Sequence, residues 1–65
     1  MHDPRTPRPL KVRALSVLVI DANKYGLALL TDILRNLEVG SVLATRDIEE
    51  ARLWIETRPI DVILL

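Results

Sequence analysis

The run Val17-Leu18-Val19-Ile20, followed at once by Asp21-Ala22-Asn23, most constrains how this chain folds. Four successive apolar residues leave no polar face, so a strand built from them must be covered on both sides. That is the situation of a central strand in a parallel sheet layered by helices. In such open sheets, ligands bind beyond the carboxyl ends of the strands, where connections diverge to opposite faces. Asp21 is delivered to that place.

The rest of the chain supplies what such a strand needs. Asn23 is positioned to cap a helix in which Leu27, Leu30, Leu34 and Leu37 recur at helical spacing, broadened by Leu29 and Ile33. Thr31, Asp32, Arg35 and Asn36 are assigned to the opposite, solvated side, with Asp32 and Arg35 as an i, i+3 pair. Gly40 is read as the left-handed residue that ends this helix. Ser41 to Thr45 has few large apolar side chains and reads as a short edge strand. Asp47 opens a second helix, with Glu50 reaching back in a capping box. Ile48, Ala51 and Ile55 form its inner stripe beside Trp54, which is read as packing, and Arg52 and Glu56 face water. Pro59 stops the helix, and Ile60 to Leu65 forms a third strand ending in a second apolar run, Val62 to Leu65.

Strand, helix, strand, helix, strand joined by short loops means parallel strands with right-handed crossovers. The first and third strands are the most apolar and are placed side by side, giving the order 2-1-3. This is half of a doubly wound α/β sheet of flavodoxin-like order. Its third strand would present an unpaired edge and apolar side chains. If the chain is complete, it is expected to be unstable alone or to pair with another chain along that strand.

Composition narrows the function classes. Sixty-five residues make one domain at most, and a domain of this size buries only about 60% of the surface its unfolded chain exposes. There is no cysteine, hence no disulfide and no thiolate metal site. Nine basic residues balance nine acidic ones, so net charge points to neither nucleic acid nor a membrane surface. Four-residue apolar runs are far too short to span a bilayer. The basic amino terminus lacks a hydrophobic stretch of signal-peptide length, and a cytoplasmic protein is the expectation. Met1 to Ala14 holds three of the four prolines with Arg5, Arg8, Lys11 and Arg13, and reads as a flexible leader. An arm following a phosphate backbone is the sharper alternative, disfavoured because no aromatic is interleaved. His2 lies there without a companion ligand.

Enzyme classes fare poorly. Gly26 and Gly40 are the only glycines, so no dinucleotide or Walker phosphate loop follows the first strand. The sole histidine lies in the leader, leaving no nucleophile, base and orienter set. Asp47, Glu49 and Glu50 are explained by capping. Tyr25, just past the acidic turn, either lines the site or covers the first helical turn.

From Leu15 to Leu65 the chain resembles the N-terminal half of a response-regulator receiver domain, the phosphoacceptor module of two-component signalling and phosphorelays. The matching features are the apolar strand ending at Asp21-Ala22-Asn23, the leucine-rich helix before Gly40, Asp47-Ile48-Glu49-Glu50-Ala51, and Arg58-Pro59-Ile60-Asp61-Val62-Ile63-Leu64-Leu65. The resemblance implies an acidic pair after the first strand and an aspartate after the third. These hold Mg²⁺, and the last aspartate accepts a phosphoryl group from a histidine kinase or phosphotransfer protein. Asp21 takes the first acidic position. Ala22 stands at the second and offers no side-chain oxygen. The phosphoacceptor is expected immediately after Leu65, outside this sequence. The complete domain would hold Mg²⁺, and none is expected on this chain alone. The alternative is a degenerate receiver-like module acting through protein contacts or self-association.

Overall fold

The computed structural model describes residues 11–65. His2 and most of the expected leader lie outside the described residues. The remainder is a 3-10 turn (Val12–Ala14), β1 (Ser16–Ile20), α1 (Lys24–Asn36), β2 (Ser41–Thr45), α2 (Ile48–Thr57) and β3 (Val62–Leu64). The three strands form one parallel sheet in the order β2-β1-β3, the truncated β-α-β-α-β flavodoxin-like arrangement expected from the sequence. Among the described residues no helix is long and apolar enough to cross a membrane.

The core is built on β1. Val17 is 4% exposed, Leu18 and Val19 are fully buried, and among the described residues Ala51 is the other buried apolar side chain. Burying a Leu or Val fully contributes about 1.5–3 kcal/mol, so the central strand carries much of the hydrophobic stabilisation. Ser16 pairs with Ser41 and Ile20 with Thr45, while Val17 to Val19 pair with Val62 to Leu64. Asp61 reinforces the second ladder twice. Its N–H donates to the Ser16 carbonyl at 2.8 Å, and its Oδ2 accepts the Ser16 N–H at 2.8 Å.

Both helices pack on β1 and β2, but each buries a narrower part of its apolar stripe than its spacing predicts. α1 faces the sheet with Leu27, Leu30, Thr31 and Leu34, and Thr31, assigned to the solvated side, is only 8% exposed. Its hydroxyl donates to the Leu27 carbonyl at 2.7 Å, which removes the cost of burying it. Leu29, Ile33 and Leu37 are consequently exposed. On α2 only Ala51 is fully covered, and its small side chain permits close approach, while Ile48 and Ile55 stay about half exposed. Trp54 is half-buried, with the Arg58 guanidinium 5.6 Å from its ring centroid. Arg58 is extended before Pro59, as a pre-proline residue prefers. The i, i+3 ion pair among the described residues is Glu49–Arg52 at 3.9 Å, not Asp32–Arg35.

The end of α1 departs from expectation in an instructive way. The left-handed residue is Glu38, at φ 60°, and Gly40 has a negative φ. Glu38 N–H donates to the Arg35 carbonyl at 3.0 Å and Val39 N–H to the Leu34 carbonyl at 3.2 Å, which together make a Schellman cap. Glu38 Oε2 also accepts the Arg13 guanidinium at 2.7 Å. Gly40 is required for another reason: a β-carbon there would collide with the Arg13 carbonyl oxygen. The chain before β1 crosses at this point, Gly40 N–H donating to the Val12 carbonyl at 3.1 Å and Ser41 N–H to the Leu15 carbonyl at 2.9 Å. Thus Val12–Ala14, assigned to the leader from sequence, is a turn laid against the α1–β2 connection.

Replacing Gly40 by Ala forces these two backbones apart and is expected to cost about 1–3 kcal/mol, read as a lower urea midpoint. A Gly40→Ala chain as stable as its parent would contradict the backbone crossing.

Candidate functional site at the Asp21 turn

The carboxyl ends of β1 and β2 lie side by side because the parallel register pairs Ile20 with Thr45. The residues that follow, Asp21-Ala22-Asn23 and Arg46-Asp47, therefore meet. Asp21 N–H donates to the Thr45 carbonyl at 3.2 Å, and Arg46 Nε donates to the Ala22 carbonyl at 3.0 Å. These two bonds tie the loops together.

Several polar groups of the acidic turn bond within it. Asp21 Oδ1 accepts the Asn23 N–H at 2.9 Å. Its Oδ2 lies over the first turn of α1, 2.7 Å from where a β-carbon on Gly26 would stand, so Gly26 makes room for the carboxylate. Asn23 caps α1 as expected, its Oδ1 accepting from Tyr25 N–H at 2.9 Å and Gly26 N–H at 3.2 Å. Tyr25 itself is 76% exposed, with Lys24 Nζ 5.1 Å from its ring centroid.

The neighbouring connection is closed differently from the capping box read in the sequence. Asp47 Oδ1 accepts Glu49 N–H at 2.9 Å, as expected. The Asp47 N–H, however, donates to Thr45 Oγ1 at 3.0 Å and not to Glu50. Thr45 is 5% exposed, closer to this N–H than a long exposed side chain, and its hydroxyl is satisfied by the same bond.

Magnesium, which the receiver resemblance implies, fits this donor set poorly. The ion takes hard oxygen ligands in octahedral geometry and favours carboxylates. At this turn the one carboxylate is Asp21, folded back onto α1. The Asn23 amide oxygen already accepts two backbone N–H groups, the Ala22 carbonyl accepts a guanidinium, and Ala22 has no side-chain oxygen. Among the described residues no three acidic or histidine side chains gather at one point. The structure places Asp21 where the sequence reading puts it, and it adds Arg46, Thr45 and Gly26, which that reading missed. Arg46 was legible in principle: it follows β2 as Asp21 follows β1, and adjacent parallel strands bring such residues together.

Asn23→Ala removes acceptors from two first-turn N–H groups and is expected to lower stability by about 1 kcal/mol. Asn23→Asp keeps the cap. Equal denaturation midpoints for Asn23→Ala and the parent would show that the cap is not what holds the turn.

No family model, curated protein or solved structure matches the chain.

Proposed function

We propose that this chain is a receiver-like signalling module that acts through protein contacts along the outer edge of its third strand. The observation that carries this reading is the state of β3. It pairs with β1 along one edge only, and both helices pack elsewhere on the sheet. Val62 is 37% exposed and Ile63 44%. Parallel sheets are otherwise found with both faces covered and their edges paired or protected. Leu29, Ile33 and Leu37 on α1, and Ile48 and Ile55 on α2, are further exposed apolar side chains.

The phosphoacceptor reading draws support from register. Val19 stands opposite Leu64, so the position after Leu65 would stand opposite Asp21, where a receiver's acceptor carboxylate belongs. Its source would be a histidine kinase or phosphotransfer protein. The Asp21 turn favours the contact reading, because Ala22 and the committed Asn23 and Ala22 oxygens leave little to hold Mg²⁺.

Sedimentation of the chain from about 1 to 100 μM is expected to show association. Ile63→Lys, which puts a charge on an exposed edge position, should abolish it with little change in monomer stability. A cooperatively melting monomer across that range would overturn the proposal.

A further inference from the structure

We propose that Arg46 is the built-in cation of the Asp21 turn, held on the Ala22 carbonyl, and that it makes the turn indifferent to metal. Two observations carry this. Arg46 Nε donates to the Ala22 carbonyl at 3.0 Å, which fixes a permanent positive charge on the residue next to Asp21. Ala22 is also the position at which the resemblance calls for a second carboxylate. A site that loses one anion and acquires one fixed cation changes by two charges against metal binding.

The hydrogen bond gives the charge its specificity. Arg46 comes from the loop after β2 and Ala22 from the loop after β1, and the Asp21 N–H bond to the Thr45 carbonyl holds the two loops in register. The guanidinium thereby ties the two strand ends together, a task otherwise done by an ion bridging ligands from different loops. This inference concerns the turn alone and stands whether or not the module acts through the edge of its third strand.

The test uses Mn²⁺ as a paramagnetic probe of backbone amide signals in the full chain. With the parent, about 1 mM Mn²⁺ is expected to leave the Asp21 to Gly26 signals no more broadened than those of the exposed Glu49 and Glu56. Ala22→Asp alone should bind weakly at the turn. Ala22→Asp combined with Arg46→Gln should bind about 10- to 100-fold more tightly than Ala22→Asp, the range by which outer-shell groups tune metal sites. Ala22→Asp with Arg46→Lys keeps the charge and should match Ala22→Asp alone. The dispersed signals of β1 report in each sample that the variant is folded. Selective broadening of the turn in the parent would overturn the proposal, and so would equal affinity for Ala22→Asp with and without Arg46→Gln.

Discussion

Burial of the central strand is the constraint on which the rest depends. Val17, Leu18 and Val19 are almost wholly removed from water, and this requires a neighbour on each edge and a helix on each face. β2 and β3 supply the edges, and α1 and α2 supply the layers over β1 and β2. The same requirement is met only in part for β3, whose side chains alternate along a strand that no helix covers as fully. Burial is concentrated at β1, and two of the three β3 residues stay exposed.

The backbone crossing near Gly40 shows how a small domain stiffens its lower rim without a disulfide. The Val12–Ala14 turn donates no apolar bulk, and its contribution is geometric. It accepts the Gly40 N–H, brings Arg13 to Glu38, and leads directly into β1. Glu38 adopts a left-handed conformation that costs a non-glycine residue roughly 1–2 kcal/mol. The Schellman bonds offset that cost, and the exposed ion pair adds little. Glycine is reserved for the point where two backbones touch.

At the opposite rim, the Asp21 turn is assembled from groups that satisfy one another. The carboxylate serves a loop N–H, the asparagine serves the helix start, and a guanidinium serves the loop carbonyl.

Much of this was legible beforehand. Apolar runs, leucine spacing and caps at Asn23 and Asp47 are local patterns, and they led to the element order, the 2-1-3 topology and the position of Asp21. What they did not disclose depends on relations between distant residues. Gly40 is indispensable because Arg13 passes over it, Thr31 is buried because α1 lies over β1 and β2, and Arg46 reaches Ala22 because two strands end side by side. Periodicity states that a helix has an apolar face wider than its contact, but only packing selects which part of that face is covered. By itself the sequence determined the elements and their order, since those follow from short-range propensity and hydrophobic pattern. The tertiary structure alone decided which groups meet, because proximity across 24 or more residues is a property of the folded chain.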